Sequence, residues 1–163
     1  MEYRRLSKED FDAIVTGELT HYAIWFEDQI VAILADHFAT DAVRSDFVRL
    51  FLRRDGLTFQ DKIEIARAAV PSFKNRGVAA TLPALLTRVE TFKSFRNAFA
   101  HGIDETPENA GGAIHVEVVN RAGKAKVVVV TPDSHEAMLE SAERLLSQLK
   151  EVRDALSVAS SGA

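Results

Sequence analysis

The chain of 163 residues contains no cysteine. That excludes a disulfide framework, a thiol nucleophile and a thiolate-ligated zinc, and it fits a reducing compartment. Long apolar runs are missing too. The longest, Ile30 to Ala35, is far below the roughly 20 residues a membrane-spanning helix needs. The first ten residues hold no apolar core of signal-peptide type. A cytoplasmic, soluble protein without a membrane partner is therefore expected. No Gly-rich phosphate loop and no Gly-x-Ser-x-Gly elbow occurs, and Ser94 has no neighbour to activate it. No internal repeat or linker divides the chain.

What remains is ample for one domain with its own core. Apolar residues make up 47% and charged residues 27%, ordinary values for a globular protein. Residues 1–156 read as a single domain, and the small, polar stretch 157–163 as a disordered tail. The net charge of −4 argues against a generic nucleic-acid binder, but the charge is unevenly spread. Residues 44–96 carry 11 Lys and Arg against 5 Asp and Glu, a local excess of +6; the rest of the chain carries −10. That basic middle either forms a phosphate-facing surface or is distributed over several solvated helix faces.

Apolar spacing predicts a mainly α fold, a helical bundle with one small β-hairpin inserted before the C-terminal helix. Ser7 and Asp10 form a capping-box pattern. Beyond them Phe11, Ile14, Val15, Leu19, Tyr22, Phe26, Ile30, Ile33, Leu34 and Phe38 recur at helical steps, with Gly17 a place for a bend or break. A second helix is expected over Asp41–Arg54, with Val43, Phe47, Leu50 and Phe51 inward. Thr58 caps a third, carrying Phe59, Ile63, Ala66 and Val70, which Pro71 stops. Residues 71–80 read as a loop, and Thr81 with Pro83 as the first turn of a fourth helix. Its stripe is Leu82, Leu85, Leu86, Val89, Phe92, Phe95 and Phe99. Two strand-like runs, 114–119 and 126–130, flank the turn Asn120-Arg121-Ala122-Gly123. A last helix starts near Asp133, with Met138, Ala142, Leu145, Leu149, Val152 and Leu156 on one face.

The end of the fourth helix reads Arg96-Asn97-Ala98-Phe99-Ala100-His101, closed by Gly102. An arginine and a histidine separated by four positions, the first of them polar, resemble the signature of the HEPN superfamily. The resemblance implies a helical bundle that pairs motif helices across a two-fold axis, hence a homodimer with Arg96 and His101 near the subunit interface. It also implies a metal-independent endoribonuclease acting on RNA, often the toxin of a toxin–antitoxin or phage-defence pair, with an antitoxin protein as a further partner. Other members are non-catalytic modules that dimerise or bind a protein, nucleotide or RNA.

The residue types suit RNA cleavage without metal or cofactor. Histidine titrates near neutrality, so His101 is the candidate general acid/base for the 2′-hydroxyl and the leaving oxygen. Arg96 is permanently charged and grips two phosphate oxygens at once, making it the candidate phosphate clamp. Asn97 is placed to hold either the imidazole or a phosphate oxygen. Lys93 and Arg88 are the candidate RNA-binding cations. The expected product is a 2′,3′-cyclic phosphate, with DNA inert for want of the internal nucleophile.

Helix geometry complicates this assignment. At about 100° per residue, Asn97 lies beneath His101, while Arg96 is turned about 140° away, toward the Phe92, Phe95, Phe99 stripe. One ideal helix does not put the two groups on one face; a distorted last turn, a reaching arginine or a second subunit would. A plainer explanation also exists. A histidine before glycine ends helices, His⁺ favouring the negative end of the dipole and Gly supplying a left-handed cap. Arginine beside aromatics also stacks on them or pairs with an acid. Elsewhere, Asp36, His37 and Asp41 suit a divalent metal only weakly, and no metal site is assigned. His115 and Glu117 fall on the wet face of the hairpin. His21 and His135 read as surface or helix-start residues.

Overall fold

The computed structural model describes residues 2–119 and 122–160, the last four as backbone alone. It is mainly α: α1 (Lys8–Phe38), α2 (Asp41–Phe47) continued by a π-helical turn (Val48–Leu52), α3 (Phe59–Ala69), α4 (Arg76–His101) and α5 (Pro132–Ser160). Three strands, β1 (Ile103–Asp104), β2 (Ile114–Val119) and β3 (Ala125–Val130), form one antiparallel sheet in the order β1-β2-β3. The chain divides into two units, residues 1–23 with 92–143 and residues 24–91 with 144–163.

α1 follows its apolar pattern closely. Ser7 Oγ accepts from the Asp10 amide (3.1 Å) and donates to the Asp10 carboxylate (2.8 Å), a capping arrangement that fixes the first turn. Phe11, Val15, Leu19, Phe26, Ile30, Ile33 and Leu34 are buried, whereas Phe38 is 53% exposed. The helix passes through Gly17 without a break. α3 begins where Thr58 and Asp61 exchange both bonds of a capping box, and it buries Ile63 and Ala66.

The second helix departs from its expected form. It stays α-helical only to Phe47, widens into the π turn, and buries just Leu52. Val43, Leu50 and Phe51, expected inward, are more than half exposed. The periodicity marks a genuine apolar face, but the described residues cover it only in part, Phe47 being half-buried. α4 also starts earlier than Thr81. Asn75 Oδ1 accepts from the Gly77 (3.0 Å) and Val78 (3.2 Å) amides, so Asn75 is the cap and residues 76–80 are helical rather than loop. Pro83 therefore sits inside the helix, where it forgoes the bond to the carbonyl four residues back. The buried stripe Leu82, Leu85, Leu86 and Val89 outweighs that loss.

In the unit that holds the sheet, β2 and β3 pair from Ile114↔Val130 to Val119↔Ala125. Ile114, Val116 and Val130 turn inward, while Val119, Val127 and Val129 remain exposed. Of the expected turn, Asn120 and Arg121 lie outside the described residues; Gly123 has φ 74°, a left-handed value that suits glycine. The short strand β1 adds a third strand through Ile103↔Glu117 and Asp104↔Val116. α5 is capped by reciprocal Thr131–Ser134 bonds with Pro132 in its first position. It runs on to Ser160, past the expected start of a tail at Ser157, and residues 161–163 lie outside the described ones.

Candidate functional site

The motif occupies the last turn and a half of α4, in the unit formed by residues 1–23 and 92–143. Ala98 and Phe99 are buried and anchor this end, with the Phe95 and Phe99 rings 5.2 Å apart. Arg96 and Asn97 are half-buried, and Arg96 Nη1 donates to Asn97 Oδ1 at 3.0 Å. Arg96 Nε is buried without a hydrogen-bond partner, and no carboxylate among the described residues pairs with this guanidinium. His101 is exposed, and its ring makes no hydrogen bond among the described residues.

α4 remains regular through His101, and the Gly102 amide still reaches the Ala98 carbonyl at 2.8 Å. The last turn is therefore undistorted, and Arg96 and His101 stay about 140° apart around the axis. Asn97 is brought to Arg96 by a hydrogen bond and to the His101 side by helical spacing. Lys93 is half-buried one turn before Asn97. Arg88 belongs to the other unit, where it donates to Gln148 at 2.5 Å.

Gly102 does not do what a helix-ending glycine usually does. Its φ is not among the positive values, which fall at Gly56, Gly111, Gly112 and Gly123. Its role is close approach. A Cβ here would stand 2.1 Å from Val116 Cγ1, 2.5 Å from the Ala98 carbonyl oxygen and 2.9 Å from the Glu117 oxygen. The strand β2 crosses so near the end of α4 that only hydrogen fits. The acid nearest after the motif, Asp104, is bound to Lys8 (2.5 Å) and to the Thr106 amide (3.0 Å), and these bonds hold its carboxyl well below the usual carboxylate range. It is committed there rather than to His101.

Five of the eleven cations of the basic middle pair with acids. Arg44 meets Asp36, Arg49 meets Asp46, Arg53 meets Asp28, Lys62 meets Glu27, and Arg67 meets Glu90. At those five positions the charge is spent locally. Asp36 also faces Arg153, and His37 Nε2 bonds Ser72 Oγ at 2.7 Å, with burial lowering the pKa of its ring. Asp36, His37 and Asp41 form no metal-binding group, nor does any set of His, Asp or Glu among the described residues.

Sequence reasoning misses a second polar cluster. His135, expected at a surface or helix start, is fully buried. Its Nε2 lies 2.6 Å from Glu18 Oε2, and the Tyr3 hydroxyl donates to the same carboxylate at 3.2 Å. The Tyr3 and Phe11 rings stand nearly perpendicular to the imidazole, with centroids 5.1 and 5.9 Å away. Burial, and then the charge of Glu18, push the Tyr3 hydroxyl up to about 12. Glu18 and His135 stand 117 residues apart in the chain, so no local pattern announces the contact.

No family model, no curated protein and no solved structure matches this chain.

Proposed function

We propose that the protein is a metal-independent endoribonuclease of HEPN type, with His101 as general acid/base, Arg96 as phosphate clamp and Asn97 as the residue that orients the clamp. One observation carries this reading: among the described residues Arg96 is a guanidinium without a carboxylate, steered by Asn97, while the arginines of α2, its π turn and α3 are consumed in ion pairs. A cation left uncompensated and pre-oriented suits a ligand that brings its own negative charge. The exposed imidazole of His101 supplies the proton carrier that 2′-hydroxyl attack requires.

In that reaction the 2′-oxygen attacks the phosphorus, its proton passes to a base, and the 5′-oxygen leaves with a proton from an acid. The guanidinium neutralises the phosphoryl oxygens as charge accumulates on them. Because one helix keeps Arg96 and His101 on different sides, the working site pools residues from two copies of the motif. A toxin or defence role, and an antitoxin partner, follow from this reading and stand or fall with it.

The test is substrate discrimination. Purified protein in excess EDTA should cut an RNA and leave the 2′-deoxy version of the same sequence intact, with 2′,3′-cyclic phosphate ends on the products. Equal cutting of both strands, or cutting only after a divalent metal is added back, would contradict the mechanism.

A further inference from the structure

In the unit formed by residues 24–91 and 144–163, one segment is built unlike its surroundings. α2 and its π turn bury a single side chain, Leu52, and a helix of that length gains too little from its own hydrogen bonds to persist alone. Phe38, Val43, Leu50 and Phe51 are 53, 52, 51 and 58% exposed. Phe38, Phe47, Phe51, Leu57 and Ile65 line a groove of about 740 Å³, with Arg54 and Asp55 also in its wall. An exposed apolar groove of this kind suits a contact with another macromolecule.

The charges say which one. Arg54 and Asp55 have neither an ion pair nor a side-chain hydrogen bond among the described residues, although Arg49 and Arg53 nearby are satisfied by Asp46 (3.0 Å) and Asp28 (2.7 Å). Two adjacent, unspent charges of opposite sign complement neither an acidic nor a basic partner. They complement themselves. Across a two-fold axis, Arg54 of one copy meets Asp55 of the other, and the same pair forms a second time. Val43 and Leu50, exposed on the same short helical segment but not in the groove's lining, provide projecting side chains for the opposing groove to receive.

We propose that two copies of the chain associate face to face through this groove, with Phe47 and Phe51 at its centre and reciprocal Arg54–Asp55 pairs at its edge. The proposal does not rest on the ribonuclease reading, since the motif belongs to the other unit.

The mass of the full chain in solution tests it, by sedimentation equilibrium or light scattering. Phe51→Glu should halve the mass of the wild-type assembly while the circular dichroism spectrum is unchanged, because Phe51 is exposed in the single chain. Arg54→Asp and Asp55→Arg should each weaken association about tenfold. The doubly substituted chain, R54D with D55R, should recover it, since the reversed charges match again. Arg96→Ala and His101→Ala should leave this contact intact. A monomeric wild type, an unchanged mass for Phe51→Glu, or no recovery in the double variant would overturn the proposal. So would a monomer that instead captures a different protein at this groove.

Discussion

His101 and His135 occupy similar places in the sequence, one in the last turn of a helix and the other in the first turn of the next. Their surroundings are opposite. His101 is exposed and makes no hydrogen bond among the described residues, in a turn whose arginine also lacks a carboxylate. His135 is sealed from solvent, bonded to Glu18 and flanked by Tyr3 and Phe11. A histidine offered to a ligand keeps its nitrogens uncommitted; a histidine that organises a core spends at least one. His101 is thus open to solvent, whereas His135 is committed to the core.

Substitutions should separate the two roles by size. The largest effect is expected just past His101. Gly102→Ala forces a methyl group against Val116 and two carbonyl oxygens, so α4 and β2 must part, at a cost of about 3 kcal/mol or more. Thermal denaturation measures it, and a loss below about 1 kcal/mol would show that the crossing of helix and strand relaxes easily. His135→Ala comes next. It leaves a cavity and takes from Glu18 its shortest partner, for an expected loss of about 2 kcal/mol.

A smaller effect belongs to the same buried cluster and depends on pH. Tyr3 titrates at about 12 in the folded chain against 10.0 as an isolated group. The raised value means that the folded state holds the phenolic proton longer than the unfolded chain. The contribution is complete below pH 10, declines as the unfolded chain ionises, and is lost as pH rises through about 12. Tyr3→Phe should flatten that part of the stability–pH curve in denaturant titrations. An unaltered slope would place the alkaline loss elsewhere. Smallest of all is His101→Ala, expected to change stability by less than about 0.5 kcal/mol because the ring is exposed.

Elements determined by local spacing and capping are legible in the amino-acid sequence. The α1 stripe, the Ser7 and Thr58 caps, the paired strands β2 and β3 and the apolar face of α5 all depend on residues within a few positions of each other. What is not legible depends on distance or on covering. Asn75 is hidden as a cap because Pro83 suggests a later start, and a buried stripe outweighs the one bond that proline loses. The apolar side of α2 is visible, but periodicity reports that a face is apolar, never that the same chain covers it. The burial of His135 escapes local pattern because tertiary folding alone brings up its partner Glu18. Gly102 stands out for a misleading reason: its position suggests a left-handed cap, whereas the approach of β2 requires the absence of a side chain. Of the candidate site, the spacing predicts Arg96, Asn97 and His101 on a regular helix end, and with it the 140° separation that a single chain does not remove.

The most direct measurement of the central claim is the rate of RNA cleavage in excess EDTA by wild type, Arg96→Ala, His101→Ala and His135→Ala, each assayed below its own melting transition. The account predicts cleavage by wild type, loss of a hundredfold or more in Arg96→Ala and His101→Ala, and retained cleavage in the less stable His135→Ala. Undiminished cleavage by the folded His101→Ala variant, or no cleavage by wild type on any RNA offered, would contradict it.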